Sequence, residues 1–363
     1  MNWSITLMIY LARRFMVAML VVFGAFAALA FSIDLADLFS RTSERDIPAA
    51  VVFSMSLMKL PDIAQKLLPF TVLFGAILAF ARLSRSHELV ATRAAGVSAW
   101  QFLAVPLVVA ILLGIVTTTI FNPIAASLLS QYSRLEARYL RGEASQIALS
   151  STGLWLRQGT AESQSVIHAL RVANQGAQLE DVMVIRYDGL DRYAGRIDAE
   201  SALLQDGYWH LESAWVSGPD GRPVFHAAYE LPTELTPTQI EESFASPSTV
   251  SFWELPRFIS NAEAAGFTAA RHRIYWYSLL TLPILLAAMV FMAASFSLRM
   301  ARMGGMPQLI LAGTLSGFAV YFLQNVTRTI GQSGILPAPL AAAAPAVVAI
   351  LLGMTLLFHE EDG

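Results

Sequence analysis

The segment Arg82-Leu83-Ser84-Arg85-Ser86-His87-Glu88-Leu89-Val90-Ala91-Thr92-Arg93-Ala94-Ala95-Gly96-Val97-Ser98 places charged and hydrogen-bonding residues between two long apolar runs. Ser84 or Ser86 can cap a short helix there, and Gly96 can end it. Glu88 then falls in the first turn, where the helix dipole favours an anion. Leu89, Ala91, Ala94 and Ala95 offer a small apolar surface that another protein can clasp. The chemistry on offer is docking rather than bond-making. A short interfacial helix between two membrane spans suits a subunit that receives force from a cytosolic motor. A solvated connector, whose charges keep the loop in the cytoplasm, fits the same residues.

Other charges stand near the ends of apolar runs. Arg41 and Arg45 can pair bidentately with lipid phosphates, or serve as interfacial anchors. Arg328 has the same two uses. Asp34 and Asp37 lie three apart and share a helix face. They can bind a cation, pair with a neighbouring helix or simply be solvated at the bilayer edge. Gly313 and Gly317 make a G-x-x-x-G face, suited to close packing within the chain or to a gate against a partner subunit. Catalytic signatures are missing. There is no G-x-x-x-x-G-K-[ST] phosphate loop, no H-E-x-x-H pair and no G-x-S-x-G elbow. Gly331-Gln332-Ser333-Gly334 resembles the last only superficially. The six histidines are scattered singly, and there is no cysteine. No catalytic site, metal or cofactor is therefore expected on this chain.

Those residues must be held by membrane helices. The chain has 363 residues, 55% hydrophobic and 14% charged, against about 25% charged in soluble domains. Its net charge of −3 gives no argument for nucleic acid. A hydrocarbon core needs roughly 20 apolar residues of helix. Six candidates meet that length: Phe15 to Phe39, Leu60 to Leu83, Trp100 to Phe121, Ile274 to Leu298, Pro307 to Val326 and Leu340 to Phe358. The second starts amphipathically, with Lys59, Asp62 and Lys66, and Pro69 can kink it. The third is expected to stop at Asn122-Pro123. A cleaved signal peptide is the alternative for the first, with Ala28-Leu29-Ala30 as cleavage site, but the apolar run continues past it. Arg13, Arg14, Arg82, Arg85, Arg93, Arg299 and Arg302 fall on one side, against Arg41, Arg45, Lys59 and Arg328 on the other. The positive-inside rule then predicts cytoplasmic termini.

Composition shifts near Phe121 and Tyr275 and divides the chain into 1–123, 124–270 and 271–363. The middle part opens with an amphipathic helix carrying Ile124, Leu128, Leu135 and Tyr139, and then changes to period two. Leu154-Trp155-Leu156, Ser165-Val166-Ile167-His168, Val182-Met183-Val184-Ile185, Tyr208-Trp209-His210-Leu211 and Val224-Phe225-His226-Ala227 read as strands. Asp188-Gly189, Asp206-Gly207 and Asp220-Gly221 read as the turns between them. A sandwich or jelly roll is expected. Ser251-Phe252-Trp253-Glu254 has the form of a capping box, opening a helix through Ala265 with Gly266 as its stop and Thr268 as cap of the next. The fold class is thus an α-helical membrane protein of six transmembrane helices with an inserted β-domain, a sandwich or β-jellyroll, on the far side of the membrane, which is periplasmic if the source is a Gram-negative bacterium.

The segment from Ser86 to Ser98 resembles the coupling-helix motif of the LptF/LptG permeases. So do Tyr10-Leu11, Phe31-Ser32-Ile33-Asp34-Leu35, Leu60-Pro61 with Gln65 and Leu68-Pro69, Ser151-Thr152-Gly153-Leu154-Trp155, and Gly313-Thr314-Leu315-Ser316-Gly317-Phe318 with Tyr321. Gly331, Gly334, Leu336-Pro337 and Leu340-Ala341-Ala342 lean towards the LptG branch. The resemblance implies a permease subunit in the inner membrane of a Gram-negative bacterium. It would pair with an LptF paralogue above an LptB ATPase dimer, which would bind ATP and Mg. It would extract lipopolysaccharide among the membrane lipids and pass it to a periplasmic bridge that starts with LptC, for outer-membrane biogenesis. The coupling helix would span about 84–96. Glu88 would engage the ATPase, with Arg85, His87, Leu89 and Arg93 around it. First helices of relatives often carry basic residues where this chain has Asp34 and Asp37. A membrane-anchored scaffold presenting the β-domain, without transport, is the alternative function.

Overall fold

In lipid every backbone N–H and C=O must be satisfied within the segment, and a helix does this alone. The computed structural model describes residues 5–43, 47–86, 88, 99–141, 146–150, 153–159, 163–173, 177–188, 192–233, 235, 246–264, 268–303 and 306–361. Six helical stretches among them are long and apolar enough to cross a bilayer: Ile5–Thr42, Ala49–Arg85, Trp100–Leu140, Ala270–Ser297, Pro307–Gln332 and Ala338–Phe358. We label the helices α1 (Ile5–Thr42), α2 (Ala49–Arg85), α3 (Ala99–Val116), α4 (Asn122–Glu136), α5 (Leu255–Ala264), α6 (Ala270–Met303), α7 (Met306–Gln332) and α8 (Ala338–Glu361). The number of spans is the expected one, but several run longer. α2 starts at Ala49, eleven residues before Leu60, capped by Pro48, whose carbonyl accepts from Val51 and Val52. Proline's fixed φ favours helix starts.

The third span does not stop at Asn122-Pro123. A π-helical turn, Thr117–Phe121, joins α3 to α4, and a second, Ala137–Arg141, follows α4. Pro123 has no N–H to give the carbonyl four residues back, which is that of Thr119. That carbonyl instead accepts from the Trp253 indole at 3.1 Å. The freed group is satisfied, so the helix passes through its proline. π-Turns of this kind mark places where a helix absorbs one residue too many, often at working sites.

The chain divides into two compact units. The helical one comprises Met1–Ser133, Ser251–Trp253 and Arg273–Gly363; the other comprises Arg134–Val250 and Glu254–His272. The helical core holds Phe15, Val72, Leu73, Leu103, Leu286 and Met289. Small residues let its backbones close up. A Cβ at Gly114 would lie 2.5 Å from Pro283 Cα, and one at Gly75 would lie 2.8 Å from Met19 Cα. Neither neighbour is a flexible side-chain end.

Among the described residues the second unit holds one antiparallel sheet of seven strands: β1 (Gln146–Ser150), β2 (Gly153–Gly159), β3 (Ser163–Ala173), β4 (Gln178–Asp188), β5 (Arg192–Gln205), β6 (Tyr208–Ser217) and β7 (Pro223–Pro232). The expected inserted β-domain is present. Its described strands pair strictly in chain order, as a meander, rather than through the crossing connections of a Greek key. The two-layered form comes from curling. In a flat sheet β2 and β6 would stand about 19 Å apart, four strand spacings. Here Trp209 on β6 donates to Gln158 on β2 at 3.2 Å. Pairing skips a position at Asp181 in β4 and at Ser213 in β6. Both residues have positive φ, 53° and 55°. Such irregularities bend strands and let a sheet roll. Leu154, Leu156, Ile167, Val184, Ile197 and Leu211 fill the inside.

Gln158 closes the roll. Its Oε1 accepts from Trp209 and from Thr233 Oγ1 at 2.7 Å, and its Nε2 donates to the Pro232 carbonyl at 3.3 Å. Gln158 is buried, as is Trp209. Gln158→Leu leaves an indole N–H and a carbonyl without partners, at a cost of about 2 kcal/mol. Hydrogen exchange in β2 and β6 of the full chain should accelerate, with α1 to α3 unchanged.

The helix after the sheet starts at Leu255, later than the capping box implied. The Phe252 N–H is taken by Asn122 Oδ1 at 2.8 Å. The first helical bond runs from Phe258 to the Glu254 carbonyl, and Pro256 stands in the first turn, where proline is tolerated. Gly266 lies outside the described residues, and α6 begins at Ala270, two residues past Thr268.

Candidate functional site

The end of α2 and the start of α1 meet at Glu88. α2 runs through Arg85, so Ser84 lies inside it; Ser86 follows it as C-cap and Glu88 is again helical, while the rest of the expected short helix lies outside the described residues. Ser86 Oγ reaches Glu88 Oε1 at 2.9 Å, and the Tyr10 hydroxyl on α1 donates to Glu88 Oε2 at 2.9 Å. Arg14, one turn along α1, donates from Nε to the same Tyr10 oxygen at 2.9 Å. Its guanidinium sits 5.1 Å from the ring centroid. Arg85 is exposed beside this cluster in sequence. His87, Leu89 and Arg93 lie outside the described residues. Sequence reading singled out Glu88 but quoted Tyr10 only as part of a family pattern.

At the other end of α1 and α2, the structure assigns each acid a partner. Asp34, 7% exposed, accepts from Lys59 Nζ at 2.5 Å and from Ser56 Oγ at 2.8 Å. Lys59 also stands 5.4 Å from the Tyr132 ring centroid. Asp37 pairs with Arg41 at 2.9 Å, one turn on, with both exposed. Arg45 is outside the described residues. One turn deeper on α2, Lys66 pairs with Asp62 at 2.6 Å, and the lysine side chain keeps 63% exposure. These charges read from sequence as the amphipathic start of a span. Their spacing of four, Asp62 to Lys66, was the available signal.

Arg328 is exposed on α7 and forms no ion pair among the described residues. Gly313 and Gly317, also on α7, face α2. A Cβ at Gly313 would lie 2.5 Å from Ile77 Cδ1, and one at Gly317 would lie 3.0 Å from Phe70 Cε1. Both are thus engaged within the chain.

A further polar node escaped sequence reading. Asn122 Nδ2 reaches Tyr275 Oη at 3.1 Å and Gln65 Oε1 at 3.3 Å. With the Phe252 bond, one buried amide ties α2, α4, α6 and the segment 251–253 together. In sequence Asn122 reads as a breaker, because it precedes proline. Nothing local signals its three distant partners.

Residues 9–359 match the family model described as lipopolysaccharide export system permease LptF/LptG. The chain belongs to the LptF/LptG permease family. Two relatives carry the name lipopolysaccharide export system permease protein LptG. The Haemophilus influenzae protein is 23% identical over 329 residues, covering 87% of each chain. That of Escherichia coli K12 is 20% identical over 361 residues, covering 97% of each. Coverage of this extent carries the LptF/LptG likeness through all six spans and the β-domain alike.

Proposed function

We propose that this chain is the LptG-type permease subunit of an ABC transporter that extracts lipopolysaccharide from the inner membrane. The family match across residues 9–359 carries this reading. It sits in the inner membrane with both termini in the cytoplasm and its β-domain in the periplasm. An LptF-type paralogue completes the membrane pair. An LptB-type ATPase dimer binds ATP and Mg beneath it, and an LptC-led bridge takes the lipid onward. Lifting acyl chains from a bilayer costs about 0.8 kcal/mol per methylene. Tens of methylenes therefore demand outside work, and the sequence has no phosphate loop to supply it. ATP closes the cytosolic dimer, which pushes the elbow at Glu88. α2 and α3 move as a lever and narrow the cavity between subunits. Arg328, exposed and without an ion pair among the described residues, is the cation best placed to meet headgroup phosphates, since Arg41, Lys59 and Lys66 each already face an acid.

Detergent co-purification with mass spectrometry of the bound species tests the reading. An ATPase, a second permease and lipopolysaccharide should come down with the chain. Recovery of the chain with no nucleotide-binding subunit and no glycolipid would overturn it in favour of a scaffold that presents the β-domain.

A further inference from the structure

We propose that Tyr10 is a positioning residue for Glu88. Its hydroxyl sets the coupling carboxylate in place for the ATPase and fastens the start of α1 to the coupling elbow. The proposal rests on the role assigned to Glu88 above.

Tyr10 and Glu88 are 78 positions apart, so local sequence does not bring them together. Packing does. Leu11 and Phe15 are buried in the helical core, 5% and 1% exposed, and anchor the start of α1. Tyr10, beside Leu11, is left at the rim with 36% exposure. Arg14 then constrains it twice. The guanidinium lies over the ring, a cation–π placement. Its Nε–H also occupies the phenolic oxygen as acceptor. A hydroxyl has one hydrogen. With the arginine on its lone pair, that hydrogen points elsewhere, and it points at Glu88 Oε2. Donation from a cation also polarises the O–H and strengthens the next bond along the chain.

The carboxylate is held by both oxygens, Oε2 by Tyr10 and Oε1 by Ser86. Ser86 lies within reach of the Arg82 and Leu83 carbonyls as well. Its single hydrogen favours the charged acceptor, which binds more strongly. Each carboxylate oxygen carries two lone pairs. These two donors, one on each oxygen, fix the plane of the group that is presented to the ATPase. A free glutamate must freeze its rotamers when it docks. Glu88 has already lost that freedom in the folded chain. The same bond changes the mechanics of the elbow. A push on Glu88 reaches α1 directly, through Tyr10, as well as α2 and α3 through the backbone.

Tyr10→Phe in the complete transporter removes the hydroxyl and keeps the ring, its packing and the Arg14 cation–π placement, while the exposed Arg14 Nε–H turns to water. The variant should accumulate to the parent's level in the membrane. Affinity of the ATPase subunit for the membrane pair should fall about three- to tenfold, the size of one ordinary net hydrogen bond, as befits a solvent-exposed one. ATP consumed per lipid extracted should rise. In a Glu88→Ala background, Tyr10→Phe should add nothing, because the hydroxyl acts through the carboxylate. Additive losses in that double variant would overturn the proposal, since Tyr10 would then act elsewhere. Unchanged affinity and coupling in Tyr10→Phe, with Glu88→Lys still disruptive, would overturn the latch alone. A Glu88→Lys transporter that assembled normally would overturn the role of Glu88, and the latch with it.

Discussion

Glu88→Lys should separate this chain from the ATPase subunit proposed above. The substitution exchanges an anion for a cation, and would confront a docking cation of that subunit with a like charge. Breaking one side of a docked charge pair costs about 2–5 kcal/mol, so affinity for the ATPase should fall on the order of a hundredfold. The chain itself should lose less. Glu88 is half-buried and gives up its exposed bonds to Tyr10 and Ser86, a cost of about 1 kcal/mol to folding. Co-elution of the ATPase in detergent, and ATP hydrolysis in proteoliposomes, measure the first effect. Melting temperature of the isolated membrane pair measures the second. Full co-elution with the lysine in place would show that docking runs through other residues.

Asp34→Ala produces the other large effect, on stability. Lys59 is 29% exposed, and its ammonium has Asp34 and the Tyr132 ring as partners. Losing the acid strands a half-buried cation in a bilayer-spanning helix, at a cost of about 3 kcal/mol. Removing both charges, as Asp34→Leu with Lys59→Met, should recover most of that loss, because neither group is then desolvated without a partner. Thermal melting of both variants in detergent gives the comparison. A single variant that melts like the parent would mean that Lys59 is well hydrated without its acid. Asp34 would then be free to meet cargo.

The asymmetry between those two sites explains what the sequence could disclose. Spans are legible because lipid demands one long apolar run per crossing, and no packing detail alters that demand. Strands rich in Val, Ile and Trp are legible through their alternation. β5 was missed although it alternates, with Gly195, Ile197 and Ala199 turned inward and Ala202 and Leu204 after them. Small residues are depleted in strands, and the alternation shifts by one near Ser201, where pairing skips between Asp198 and Ser201. The bonds from Asp34 to Lys59, from Tyr10 to Glu88 and from Asn122 to Tyr275 join residues far apart in the chain. They exist only once helices have packed. Candidate charges could therefore be picked out from the sequence, whereas their partners could not.

The hairpin order of the sheet also bears on how the protein is made. Every described strand from β2 to β7 joins the one synthesised just before it, so each pairing can zip up as the chain is produced. Short-range pairings of this kind close small loops and form quickly. The described strands end at Pro232, before the first residue of α6 exists. Biogenesis can thus proceed in three uninterrupted stages, with the roll sealed at Gln158 while the last three spans are still on the ribosome.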